Sequence, residues 1–176
     1  TATNTSNGRE LWRSDGSSGG TVMLKDIVPG ENDSTPSAYT RAGETLFFIA
    51  TDEAHGRELW KTDGTSFNTT LVKDIFPGTA SSELKELTAL GDMLYFFAKD
   101  SDTGSFQLWQ SNGFEADTKA LQTLVNPQAL TVVGNTLYYL DQVAANQTKV
   151  WRYIPSLAKA VEVKTLSGNA ASPAAS

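Results

Sequence analysis

"GRELWKTDGT" at residues 56–65 decides the fold, because "GRELWRSDGS" stands at residues 8–17, 48 positions earlier. A worn copy, "QLWQSNG", follows at 107–113, and a fainter one, "KVWRYIP", at 149–155. Leu11-Trp12 thus recurs as Leu59-Trp60, Leu108-Trp109 and Val150-Trp151, at spacings of 48, 49 and 42 residues. All four tryptophans of the chain fall at this one position. Other columns keep step: "MLKDIVPG" (23–30) with "LVKDIFPG" (71–78), and "GETLFFIATD" (43–52) with "GDMLYFFAKD" (91–100) and "GNTLYYLDQV" (134–143). Self-similarity at a fixed period of this size is the mark of a repeat architecture.

Each period divides into four strand signals, which in the best-preserved unit lie at 37–42, 46–51, 58–62 and 69–75. Gly43-Glu44, residues 52–56 and Asp63-Gly64 separate them, and Gly and Asp-Gly supply the positive φ that tight turns need. "SSELKELTAL" (81–90) looks helical on its own, but it aligns with segments carrying Pro36 and Pro127. It is therefore read as a strand, with a helical turn allowed before it. In "LFFIA" Leu46, Phe48 and Ala50 face one way, Phe47 and Ile49 the other, and both faces are apolar. A sheet buried on both faces needs a neighbour on each side. The expectation is an all-β, β-propeller-like array of four-stranded antiparallel blades, with one tryptophan wedged between each pair of sheets. A β-solenoid is the main alternative.

The division along the chain is a half blade at 1–28 contributing its last two strands, blades at 29–77 and 78–125, a degenerate final blade at 126–166, and a flexible tail at 167–176. The total of about three and a half blades falls short of the ~4 to 8 of closed propellers, so an incomplete propeller is expected. The missing strands would come from upstream blades of the same protein or from other copies of the chain, because an unpaired sheet edge invites pairing. The chain begins at Thr1 without a signal-peptide pattern, which reads as a fragment or a processed product.

At "ELWRSDG", "LKDIVPG", "ELWKTDGT" and "LVKDIFPG" the chain resembles the ELWxxDGT repeat proteins of bacteria, over about residues 1–166. The resemblance implies a propeller-like array, an extracellular or cell-surface setting, and an adhesive or scaffolding role. It transfers no activity to particular residues.

Composition narrows the field. Hydrophobic residues make up 39% and aromatics 10%, enough for a core, and the net charge is −6. Nucleic-acid binding, which needs clustered Lys and Arg, is not expected. Nor is a membrane span, since the longest apolar runs, such as 46–50 and 94–98, fall far short of ~20 residues. The chain has no cysteine, which excludes disulfides, thiolate zinc sites and cysteine nucleophiles.

Candidate chemistry is sparse. Asp15 and Asp63 at the Asp-Gly turns are the metal candidates, with calcium the ion they would take. One carboxylate per turn falls short of the six to eight oxygens calcium wants, so turn capping is the preferred role. Asp52, Glu53, His55 and Arg57 form the densest polar loop and the candidate ligand loop, holding the only histidine. No other repeat keeps a His there, so a solvated side chain is preferred over a catalytic or metal-binding one. Arg9/Arg57, Glu10/Glu58, Lys25/Lys73 and Asp26/Asp74 recur in register and are read as inter-blade or cross-strand ion pairs. Trp12, Trp60, Trp109 and Trp151, with Leu11, Leu59, Leu108 and Val150, are the structural anchors. Sequons at Asn4, Asn32, Asn68 and Asn146 would carry glycans only in a eukaryotic secreted protein. No catalytic residues and no cofactor are assigned.

The leading expectation is a non-enzymatic extracellular or surface repeat protein acting in scaffolding, adhesion or self-assembly. The alternatives are a carbohydrate-binding propeller recognising surface glycans, and a non-catalytic fragment of a larger secreted hydrolase or lyase.

Overall fold

The strand and turn signals fold as four antiparallel sheets in a computed structural model that describes residues 1–101 and 104–168. The first sheet holds β1 (Ala2–Asn4), β2 (Gly8–Arg13) and β3 (Val22–Lys25). The second holds β4 (Ser37–Ala42), β5 (Thr45–Asp52), β6 (Gly56–Thr62) and β7 (Thr70–Lys73). β8 (Lys85–Leu90), β9 (Met93–Ala98), β10 (Phe106–Ser111) and β11 (Lys119–Leu124) form the third. β12 (Pro127–Val133), β13 (Thr136–Ala144), β14 (Gln147–Ile154) and β15 (Lys159–Ser167) form the fourth. Strand order within each sheet follows the chain. The protein is all-β, a stack of blade-like sheets, and among the described residues the helical elements are two short 3-10 turns at Glu115–Asp117 and Pro155–Leu157.

Two expectations are corrected here. The first sheet has three strands, not two: Ala2–Asn4 pairs antiparallel with β2, Asn4 opposite Gly8. "ATN" occupies the repeat position of "ATD" (50–52), the end of a second strand, and is too short to show an alternation of its own. Ser167, placed in the tail, instead closes β15 opposite Gln147. The rest of the expected tail, from 169 onward, lies outside the described residues.

Packing explains the Leu-Trp phrase. Consecutive residues of a strand point to opposite faces, so Leu reaches the following sheet and Trp the preceding one. Leu11 shares a core with Trp60, Phe48 and Ala50. Leu59 shares the next with Trp109, Phe47, Leu94 and Phe96. Leu108 shares the third with Tyr139 and Tyr153, and Trp151 packs against it. Phe47 and Phe48 are both fully buried, in different cores, so the second sheet is covered on both faces. Every Leu-Trp step also carries a shift of strand register: Leu11/Trp12, Leu59/Trp60, Leu108/Trp109 and Val150/Trp151. The extra residue lies on the partner strand, at Leu24, Val72, Leu121 and Val163, so a bulge stands opposite each recurring dipeptide.

A second bulge sits in the first strand of each complete sheet. Ala38, Glu86 and Ala129 hold φ of 53°, 57° and 59°, a left-handed conformation that non-glycine residues adopt at a cost. Each lies at a register shift. Glu86 in that conformation ends any helix within "SSELKELTAL", and the segment folds as β8. The first strands β4, β8 and β12 approach one another between sheets, joined by Thr40 Oγ1 to the Leu87 carbonyl at 3.3 Å and Thr88 Oγ1 to the Leu130 carbonyl at 3.4 Å.

The two ends of the stack remain uncovered. At one end Trp12 on the first sheet is only half-buried, whereas Trp60 and Trp109 are each 6% exposed; at the other, Val133, Val163 and Leu166 of the fourth sheet are exposed.

Candidate functional site

The most elaborate polar constructions lie where one sheet hands the chain to the next. The Glu10 carboxylate accepts the backbone N–H of Ile27 (3.0 Å), Val28 (3.4 Å) and Ser34 (3.2 Å), and the Ser34 hydroxyl (2.6 Å). Glu58 repeats this with Ile75 (3.3 Å), Phe76 (3.4 Å), Ser82 N–H (3.1 Å) and Ser82 hydroxyl (2.8 Å). Both side chains are fully buried. Burial pushes Glu58 up to about 7 against the pull of its hydrogen-bond donors. Gly8 and Gly56 make the close approach possible: a Cβ at Gly8 would sit 2.2 Å from the Asn32 carbonyl oxygen, and one at Gly56 2.4 Å from that of Ala80.

This corrects the ion-pair expectation. Among the described residues the ion pairs are Arg41–Glu44, His55–Asp52, Lys99–Glu83 and Lys149–Glu162. None of the in-register charges Arg9, Arg57, Glu10, Glu58, Lys25, Lys73, Asp26 or Asp74 takes part. The glutamates bind backbone instead, and Arg57 donates to the Thr35 carbonyl and hydroxyl and to the Ser37 hydroxyl, tying β6 to the entry of β4.

The third crossover is built differently. Gln107 stands at the position of Glu58, and its Oε1 is buried without a partner among the described residues. The acceptor comes from the next sheet: Asp141 Oδ1 takes the N–H of Val125 (2.9 Å) and Asn126 (2.8 Å). Asp141 occupies the repeat position of Ala50 and Ala98. The two departures from the repeat, Glu to Gln and Ala to Asp, complement each other, and Asn126 takes the place of Ser82: its carbonyl accepts the Gln142 N–H as that of Ser82 accepts the Lys99 N–H.

In the candidate ligand loop the four residues do not converge. Asp52 Oδ1 accepts the N–H of Ala54 (3.0 Å) and His55 (2.6 Å), and its Oδ2 lies 2.8 Å from His55 Nδ1. Asn4 caps the equivalent turn through Ser6 and Asn7 N–H, without any histidine. The Asp52 hydrogen bond holds the His55 imidazole above its ordinary value. Glu53 turns away to Asn32 at 3.4 Å, and Arg57 to Thr35 and Ser37.

Asp15 and Asp63 lie on their own turns. Asp15 Oδ1 accepts Ser17 N–H and hydroxyl, and Asp63 Oδ1 accepts Thr65 N–H and hydroxyl. These hydrogen bonds hold both carboxyls below the usual carboxylate range. Beside them runs a hydroxyl clasp that sequence reading missed: Ser14–Thr21 at 2.7 Å, Thr62–Thr69 at 2.8 Å and Ser111–Thr118 at 2.8 Å. Its signal was present as Ser/Thr, Asp/Asn, Gly, then Thr five residues after the Gly. Among the described residues no three His, Cys, Asp or Glu side chains come together in a group able to hold a metal ion, and no helix is long and apolar enough to cross a membrane.

One groove stands out. About 460 Å³ opens between the first and second sheets, lined among others by Trp12, Arg13, Arg41, Glu44, Leu46 and Asp63. At the next junction Phe47 fills the corresponding space: a Cβ on Gly113 would lie 3.5 Å from its ring, whereas around the equivalent Gly64 nothing lies within 4 Å. The Arg13 guanidinium reaches across to the Gly64 carbonyl at 3.2 Å.

No protein-family model matches the chain, and no curated protein is significantly similar to it.

Proposed function

We propose that the chain is a non-enzymatic extracellular or cell-surface repeat module that acts as a scaffold for assembly or adhesion. The observation that carries this reading is where the repeated polar groups point. Glu10 and Glu58 hold crossovers, Arg57 holds a strand entry, and Asp15 and Asp63 hold their own turns. What recurs and stays uncovered is apolar surface at the ends of the stack, and large uncovered apolar surface marks protein association. The extracellular setting rests on the resemblance of "ELWRSDG" and "ELWKTDGT" to bacterial ELWxxDGT repeats. The test is a binding screen of the purified chain against immobilised proteins and a glycan array, side by side. Saturable binding to protein, its own copies included, with no sugar bound, is the expected outcome.

A second reading, carbohydrate binding, is favoured by the groove between the first and second sheets, whose lining residues include Trp12, Arg41, Glu44 and Asp63. Aromatic faces with convergent polar groups suit a sugar ring. A saturable glycan whose binding is lost in both Trp12→Ala and Arg41→Ala would establish it and displace the scaffold reading.

A further inference from the structure

The fourth sheet turns a complete blade-contact face to solvent. Six repeat positions form the side of a sheet that touches its successor. In the second sheet they are Ala42, Phe47, Ile49, Leu59, Val72 and Ile75, and all six are buried. In the third they are Leu90, Tyr95, Phe97, Leu108, Leu121 and Leu124, which form or pack against the core shared with the fourth sheet. The fourth sheet keeps every one apolar or aromatic: Val133, Tyr138, Leu140, Val150, Val163 and Leu166. Here, however, Val133 is 61% exposed, Val163 52% and Leu166 46%, and the other three are only half-buried. A face meant for water on an antiparallel sheet would alternate to polar residues; this one does not.

The other end of the stack presents the opposite half of the same contact. At every inner junction the Leu of one sheet meets the Trp of the next: Leu11 with Trp60, Leu59 with Trp109, Leu108 with Trp151. Among the described residues no Trp packs on Val150, and no Leu-type residue packs beneath Trp12. Met23, paired with Trp12 across β2 and β3, extends the Trp-side face.

We propose that the outer face of the fourth sheet docks the outer face of the first sheet of a second copy, seating Val150 against that copy's Trp12. The contact continues, position for position, the interface already established between consecutive sheets of one chain. It is heterologous, joining two different faces, so it propagates head to tail into a ring or a filament. This inference rests on the scaffold reading and names the surface through which the scaffold would grow.

The test uses the whole 176-residue chain, which has no cysteine of its own. Met23→Cys and Val163→Cys are prepared separately, leaving Trp12 and Val150 intact. Each is treated alone, and then as a mixture, with a bis-maleimide of about 10 Å reach, the spacing of packed sheets. Crosslinked dimer in the mixture, and little in either variant alone, is expected. In parallel, sedimentation equilibrium follows association of the unmodified chain, of Val150→Glu, and of Val125→Glu, which is exposed but outside the six positions. At least tenfold weaker association for Val150→Glu, with Val125→Glu unchanged, supports the docking. Self-crosslinking of Val163→Cys alone would mean a symmetric contact and overturns it. Association that survives Val150→Glu also overturns it while leaving the scaffold reading standing. A chain monomeric at all concentrations that still binds another protein does the same, and a saturable glycan ligand defeats the scaffold reading itself.

Discussion

The Ser82 hydroxyl donates to the Glu58 carboxylate at 2.8 Å, closing the crossover between the second and third sheets around a fully buried acid. Ser34 and Glu10 do the same one repeat earlier, at 2.6 Å. A stack of separate sheets has its weakest covalent logic at these crossovers, where the chain leaves one hydrogen-bonded ladder before joining the next. A buried carboxylate with four donors satisfies the backbone groups released there.

Glu58 should make stability depend on pH. Burial raises its folded value from the ordinary 4.5 to about 7. A group raised on folding contributes stability that is fully present below its unfolded value and is lost as pH rises through its folded value. The contribution is roughly 3 kcal/mol at about 1.4 kcal/mol per pH unit. Glu58→Gln cannot titrate. Denaturant melts between pH 4.5 and 8 should therefore show the gap between the parent and Glu58→Gln narrowing as pH rises. A constant gap would mean that the four donors hold Glu58 ionised throughout.

Asp141 offers a sharper contrast. Both Val125 and Asn126 donate to the same oxygen, Oδ1. Asp141→Asn can keep that oxygen, so it should cost under about 1 kcal/mol, whereas Asp141→Ala strands two N–H groups at ~1–3 kcal/mol each. Hydrogen exchange at Val125 and Asn126 reads the difference directly.

Trp109 and Trp12 hold the same repeat position with different surroundings. Trp109→Ala opens a cavity between two sheets beside Leu59 and Phe96, whose ring stacks on the indole at 6.4 Å. Its expected cost is ~3–5 kcal/mol. Half-buried Trp12, on the outermost sheet, should cost less than half of that in the monomer. Equal costs in dilute urea titrations would show that Trp12 is covered in solution.

The hydroxyl clasp is testable with an isostere. Thr69 Oγ1 bonds both Thr62 Oγ1 and the Thr65 carbonyl, and Thr69 is fully buried. Thr69→Val keeps the shape and leaves both partners unmatched, so a loss of ~1–3 kcal/mol is expected. Thr65→Val, on the exposed turn, should cost less.

His55 should matter only at low pH. Its value is raised chiefly by the hydrogen bond to Asp52, so any stabilisation is present below the unfolded 6.5 and disappears as pH rises through the folded value. His55→Ala should match the parent in melting temperature at pH 8.5 and fall slightly below it at pH 5.5. Loss of fold at pH 8.5 would give the imidazole a role that the pair with Asp52 does not explain.

The sequence by itself determined the architecture. Repetition of Leu-Trp, the doubly apolar "LFFIA" and the Asp-Gly turns were enough for stacked four-stranded sheets, because periodicity and turn chemistry are local properties written in adjacent residues. It also held, unread, the Ala2–Asn4 strand and the Ser/Thr clasp, each visible once copies are aligned. The tertiary structure alone decided what the repeated charges do. Glu10 and Glu58, recurring in register with Arg9 and Arg57, read as members of inter-blade or cross-strand ion pairs, because charges repeated in register suggest pairing. Their true partners are backbone N–H groups 17 to 24 residues on, and a backbone group carries no signature in a sequence. The exchange of Gln107 and Asp141 is invisible for the same reason: the carboxylate that accepts the crossover amides comes from the next sheet instead of the preceding one. So too the outer face of the fourth sheet reads like any other blade face until the fold shows Val133, Val163 and Leu166 exposed there, with no other sheet of the described residues over them. Burial belongs to the arrangement of elements, and the residues that make an interface are the same whether or not the neighbour is there.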